Sequence, residues 1–167
     1  MRAFVLVGWW PGAGKTTLAR ALASELEIAY LSKDEVKEAL MDRLTAPVTV
    51  EESHRLGAAA VAAVLRAARG CPAAVIDSTW IPYSTALVRD LPGPCVEIRC
   101  RVSVELARER YRGRRRDKRH LDELRTESEL WGEQVHPLGV GPLVAVDTAE
   151  PVEVTALADQ VRRLTAG

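Results

Sequence analysis

Lys15 and Thr16 follow two glycines in the run Gly-Trp-Trp-Pro-Gly-Ala-Gly-Lys-Thr-Thr at residues 8–17. An ammonium and a hydroxyl placed directly after a glycine turn can hold a polyphosphate. Phosphate oxygens need several backbone N–H groups converging on one point. Gly12 and Gly14 let the chain curl that tightly, with no Cβ in the way. Lys15 offers a point charge to the β- and γ-phosphates, and the Thr16 hydroxyl a ligand for Mg²⁺. Pro11, Gly12, Ala13, Gly14, Lys15, Thr16 and Thr17 are therefore the candidate nucleotide-binding set.

Such a loop works at the joint between a strand and a helix, whose N-terminus adds positive dipole. Both elements are legible. Phe4 to Val7 is a short apolar run that reads as a buried strand, and Leu18 to Glu25 is an Ala/Leu-rich helical stretch. Strand, glycine loop, Gly-Lys-Thr and helix is the P-loop arrangement. One position departs from it. The pattern wants Gly six residues before the Lys, Trp9 stands there, and Gly8 is one position early. The competing reading is a glycine turn that binds nothing; the strand-to-helix context favours the phosphate loop. Trp9 and Trp10 are expected to cover the nucleotide or to pack beneath a flap.

Further strands are expected at Ile28 to Leu31, Ala73 to Ile76, Val96 to Val102 and Leu143 to Val146. Helices are expected at Glu35 to Leu44, Glu51 to Arg69, Tyr83 to Asp90, Val104 to Tyr111, Leu121 to Gln134 and Val152 to Leu164. Ser32 with Glu35 has capping-box spacing. Five short apolar strands alternating with helices imply an α/β fold of three layers, with a five-stranded parallel sheet covered on both faces. The chain reads as one domain over residues 1–167, with an arginine-rich lid at about 112–125. In such sheets the ligand sits at the carboxyl ends of the strands.

That rule singles out Asp34 after the second strand and Asp77 after the third. One carboxylate near a γ-phosphate could accept a hydroxyl proton, and another could hold Mg²⁺. Asp34 could also be only an N-terminal helix residue, and Asp77 only an Asx-turn residue. Arg108, Arg110, Arg112, Arg114, Arg115, Arg116, Lys118 and Arg119 form a basic segment. It is either a solvated face or a flap that stabilises transition-state charge. Arg108 and Arg112 share one helix face. His54, His120, His136 and Trp131 read first as structural. The segments Thr45 to Arg55 and Leu121 to Val140 are expected to line an acceptor pocket.

Composition bounds the partners. The chain has 23 Lys and Arg against 23 Asp and Glu, so no global field draws it to nucleic acid or a membrane surface. No apolar run approaches the roughly 18 residues of a membrane span. The N-terminus runs straight into the first strand, without a signal peptide's charged flank. Cys71, Cys95 and Cys100 lack metal spacing, so buried thiols in a reducing cytoplasm are expected.

The chain resembles the small P-loop kinases of the polynucleotide-kinase, zeta-toxin and chloramphenicol phosphotransferase type. Four stretches carry the resemblance: Val-Gly-Trp-Trp-Pro-Gly-Ala-Gly-Lys-Thr-Thr-Leu-Ala, Leu-Ser-Lys-Asp-Glu-Val-Lys, Val-Ile-Asp-Ser-Thr and Val-Glu-Leu-Ala-Arg-Glu-Arg-Tyr-Arg. The resemblance implies that Asp34 is the base that activates the acceptor hydroxyl. It places the lid arginines between Arg108 and Arg115, and part of the adenine site near Asp147 and Thr148. Lys37 stands where polynucleotide kinases often carry Arg, which argues against a nucleic-acid acceptor.

Residues and resemblance together imply an ATP- and Mg²⁺-dependent phosphotransferase acting on the hydroxyl of a small molecule. Lys15, Asp34, Arg108 and Arg112 are the expected catalytic residues, with Thr16 and Asp77 at the metal and Thr148 at the nucleotide. The alternatives are a nucleoside or polynucleotide 5′-hydroxyl kinase, and a nucleotide-binding regulatory protein without an acceptor. A cytoplasmic monomer or homodimer is expected.

Overall fold

The computed structural model describes residues 2–113, 117–132 and 135–166. Its strands are β1 (Phe4–Gly8), β2 (Ala29–Ser32), β3 (Ala74–Asp77), β4 (Cys95–Arg101) and β5 (Leu143–Asp147). They form one sheet in the order β2-β3-β1-β4-β5, with every neighbouring pair parallel. β1 lies between β3 and β4, where the strand order reverses direction. That reversal opens a crevice at the carboxyl end of β1.

β1 reads as an unbroken apolar run because both its faces are covered. Val5 and Val7 pack in a cluster with Leu18 and Leu22 of α1 (Lys15–Leu26) and Val161 of α7 (Val154–Thr165). Phe4 and Leu6 point the other way, into a cluster with Val61, Val64 and Leu65 of α3 (Val50–Ala68) and Val88 of α4 (Thr85–Arg89). The three expected layers are present. The Cys95 and Cys100 thiols lie in these clusters, and burial pushes them up to about 11 and about 12.

The remaining helices are α2 (Lys33–Arg43), α5 (Val104–Gly113) and α6 (Glu127–Trp131). Ser32 caps α2 by accepting from the Glu35 N–H at 3.3 Å. The Glu35 carboxylate meets Arg20 at 2.6 Å. A full capping box forms instead at α3, between Thr49 and Glu52.

Two helix expectations are corrected. Tyr83 to Asp90 is a 3₁₀ turn at Pro82–Ser84 followed by the short α4. Leu121 to Gln134 is not one helix: 3₁₀ turns at Lys118–His120 and Asp122–Leu124 precede α6. Leu121 sits at φ +56°, which no continuous right-handed helix allows. Thr126 and Glu129 then make a fresh capping box that starts α6. Arg114, Arg115, Arg116 and Gln134 lie outside the described residues. No helix among the described residues is long and apolar enough to cross a membrane.

Candidate active site

The loop from β1 to α1 turns where the sequence places its glycines. Gly12 and Gly14 adopt φ +80° and +78°, the left-handed region that costs glycine nothing. Gly12 is required a second time: a Cβ there would lie 2.0 Å from the Ala107 carbonyl oxygen. The helix α5 therefore lies directly against the loop. The Lys15 ammonium folds back and donates to the Trp10 carbonyl at 2.9 Å.

Trp9 keeps the backbone shape of the glycine it replaces, at φ +139°. A bulky residue holds that conformation only where its surroundings over-determine it. The indole is buried, its ring lies 3.6 Å from the Arg99 guanidinium, and Trp10 packs against it at 4.9 Å. Trp10 and the end of α6 meet: the Trp10 indole N–H donates to the Gly132 carbonyl at 3.4 Å, and the Trp131 indole donates to the Pro11 carbonyl at 3.3 Å.

The carboxylates arrive from the neighbouring strands. Asp77 ends β3, and its Oδ2 accepts from the Thr16 hydroxyl at 2.6 Å and from the Tyr30 hydroxyl at 3.4 Å. Burial raises its pKa, while Lys15 and the Thr16 hydrogen bond oppose that shift. Asp34 stands in the first turn of α2 and accepts from Lys33 at 2.9 Å. Both carboxylates line one small pocket with Pro11, Lys15, Thr16 and Thr79. Asp34 thus favours its helix N-terminus and faces the pocket at once.

Thr148, buried after β5, sets its hydroxyl 2.8 Å from the Ala13 carbonyl and 3.0 Å from that of Arg101. It ties the last strand's loop to the phosphate loop. Arg110, named in the sequence only as part of the basic segment, donates to the Thr148 and Ala149 carbonyls at 2.8 and 3.1 Å. Arg108 pairs with Glu127 and lies 5.4 Å from the Trp131 ring. Arg112 is exposed near the end of α5. Neither Arg108 nor Arg112 lines the pocket that holds Lys15 and the two carboxylates.

A cavity of about 640 Å³ adjoins that pocket and shares Thr79 with it. Its walls come from α2, α3, the 3₁₀ turn at Pro82–Ser84 and the segment around Arg125 and Glu129. The two segments expected at an acceptor pocket divide between this cavity and another groove. Ser53, His54, Arg55, Arg125, Glu129 and Val135 contribute, but Thr45 to Val48 line a separate groove with Leu44 and Leu56. Lys33, Lys37 and Tyr83 were missed as lining; Lys33 and Lys37 follow from Asp34, being one residue before it and three after. His120 is a buried tie, its Nε2 lying 2.8 Å from Glu38 Oε1.

The fold is that of P-loop kinases. Over 97% of each chain it is similar to a Chloroflexus aurantiacus protein described as a "putative kinase", at 26% identity and a TM-score of 0.74. A gluconokinase from Sinorhizobium meliloti is 21% identical with a TM-score of 0.63, covering 98% of this chain and 93% of that one. Kti12 from Chaetomium thermophilum, in complex with ADP-AlF3, is 22% identical with a TM-score of 0.63, covering 99% of this chain and all of the other. No curated protein matches the chain. The AAA domain family AAA_18 matches residues 5–132, which take in the phosphate loop, Asp34, Asp77 and α5 through α6. On that match the chain belongs to the AAA_18 family.

Proposed function

We propose that the chain is an ATP- and Mg²⁺-dependent phosphotransferase that delivers a γ-phosphate to the hydroxyl of a small molecule. The observation that carries this reading is the junction at Thr79. One side holds Lys15, Thr16, Asp34 and Asp77; the other is a cavity large enough for a small acceptor. A regulatory nucleotide switch needs neither a carboxylate at that junction nor a cavity behind it. The nucleotide complex of Kti12 and the likeness to a gluconokinase support the same reading. Within the group, the order of motifs favours the polynucleotide-kinase, zeta-toxin and chloramphenicol phosphotransferase type.

The residues fit both implied groups. The left-handed turns at Gly12 and Gly14 are the geometry by which a loop aims successive N–H groups at an anion. A hydroxyl beside a carboxylate is a hard-oxygen donor set suited to Mg²⁺, which takes few protein ligands and keeps waters and phosphates for the rest. Thr16 and Asp77 would hold the ion, and bound there it would neutralise charge on the phosphates. Lys15 would leave the Trp10 carbonyl for the β/γ-oxygens. Asp34 takes the proton from the acceptor hydroxyl, and the Lys33 ammonium fixes its orientation. Arg110 and Thr148 brace the loop that would hold part of the adenine. Arg108 and Arg112 serve as charge stabilisers if the segment carrying them closes over the phosphates.

The test is ADP release by the purified protein with Mg²⁺·ATP, with and without a panel of hydroxyl compounds. Stimulation by at least one compound, with the phosphate recovered on it, is expected. Tight nucleotide binding with no acceptor in a broad panel would favour the regulatory protein.

A further inference from the structure

The cavity beyond Thr79 is strongly cationic. Lys33, Lys37, Arg55 and Arg125 line it, with His54 beside them, and among the described lining residues Glu129 is the one carboxylate. Lys33 is engaged by Asp34, and Lys37 donates to the Ser53 oxygen. We infer that the acceptor is an oxyanion-bearing hydroxyl compound, a carboxylate or phosphate monoester, whose charged group is held between Arg125, Lys37 and Arg55 while its hydroxyl faces Asp34. This rests on the phosphotransferase reading for the identity of the cavity.

Three observations build the site. Ser53 is fully buried, and its oxygen accepts from Lys37 at 2.6 Å and from Arg125 at 3.2 Å while its own proton points to the His120 carbonyl at 3.3 Å. One hydroxyl therefore gathers two cations from different elements onto the cavity wall. The Arg125 Nε is buried with no hydrogen-bond partner among the described residues, and a guanidinium is built to present two N–H groups to one oxyanion. Lastly, the positive field reaches His54, whose pKa burial lowers first and Arg125, Lys37 and Lys33 lower further, against Glu129. The rest of the lining includes apolar surface from Val61, Ile81, Pro82 and the Tyr83 ring. A ligand with a charged end and a carbon body fits such a lining. The position of Lys33 supplies the link to chemistry, since it lines the cavity and holds Asp34.

Matched acceptor pairs test this: glycerate with glyceramide, gluconate with gluconamide, and ribose phosphate with ribose. Phosphate transfer gives one readout. Calorimetric binding in the presence of Mg²⁺ and AMPPNP gives a second that needs no chemistry. The charged member should be preferred by about tenfold or more in kcat/KM, as a charge-assisted hydrogen-bonded contact provides. The carboxylate and phosphate pairs show which oxyanion is meant. Arg125→Gln should erase most of that preference through KM, and so, in part, should the exposed Arg55→Gln, which leaves the Ser53 junction intact. Binding of charged members alone, without transfer, would defeat the kinase reading and keep the charge assignment. Neutral members transferred equally well, a 5′-hydroxyl oligonucleotide preferred over both, or no binding of any charged member would overturn the assignment.

Discussion

The Thr16 hydroxyl donates to Asp77 Oδ2 across 2.6 Å, pinning the first turn of α1 to the end of β3. The two residues come from neighbouring strand ends and are 61 positions apart in sequence. Their contact makes a paired oxygen site at the floor of the pocket, beside Lys15. It also leaves a carboxylate buried, and burial raises its pKa above the ordinary value.

That arrangement trades stability for chemistry. An acid with a raised folded pKa binds its proton more tightly when folded. Stability therefore falls as pH rises from the usual carboxylate range through the raised value, and stays lower above it. Asp77→Asn removes that loss and still accepts from Thr16. Free of nucleotide and metal, the variant should melt higher than wild type at neutral pH, with a flatter pH dependence. Its phosphate transfer should fall by about a hundredfold or more, with a weakened response to Mg²⁺. Lower melting with activity retained, read by calorimetry and a Mg²⁺ titration, would contradict this.

Trp9 yields an unusual ranking of variants. In ordinary loop conformations Ala is more stabilising than Gly by about 0.4–1 kcal/mol, and the order reverses where φ is positive. At φ +139°, Trp9→Ala loses the packing against Arg99 and Trp10 and keeps a strain of about 1–3 kcal/mol. Trp9→Gly loses the same packing and sheds the strain. Both should be less stable than wild type, and the Gly variant more stable than the Ala variant. Urea denaturation of the pair measures this; Ala above Gly would show that the backbone there is ordinary.

Much of the site was legible because it is local. Pro11 to Thr17 are contiguous in sequence, Asp34 follows β2 and Asp77 ends β3, so the parallel-sheet rule alone carries them to one end. The strand runs were clear where both faces are buried, as in β1. What the sequence hid depends on distant packing. Arg110 and Thr148 meet 38 residues apart, and Ser53 gathers Lys37 and Arg125 from two elements. No local pattern announces either. Leu121 to Gln134 misled because its apolar spacing suits a helix, while the positive φ of Leu121 breaks it. Trp9 was legible as a departure from the pattern, but not as a residue holding a glycine's conformation.

On the proposed reading, Lys15 serves the nucleotide rather than the fold. Its ammonium donates to the Trp10 carbonyl at 2.9 Å, a contact that Ala gives up to water. Lys15→Ala should cut turnover by about a hundredfold or more through lost phosphate stabilisation. Its melting temperature without nucleotide should stay near that of wild type. Unchanged turnover in a coupled ADP-release assay would remove the phosphate-loop assignment.

The central claim is that Asp34 is the base at the junction between the phosphate pocket and the acceptor cavity. Asp34→Asn preserves size and can still accept from Lys33, but cannot take a proton. A general base contributes roughly 10²- to 10⁴-fold, and phosphate transfer to the acceptor should fall by that much. Nucleotide affinity should stay within a small factor of wild type, because the phosphates rest on the loop and Lys15. The decisive measurement is single-turnover phosphate transfer by wild type and Asp34→Asn, at saturating Mg²⁺·ATP, alongside calorimetric nucleotide binding by both. The account predicts slow transfer with intact binding; transfer at the wild-type rate, or intact transfer with lost nucleotide affinity, would contradict it.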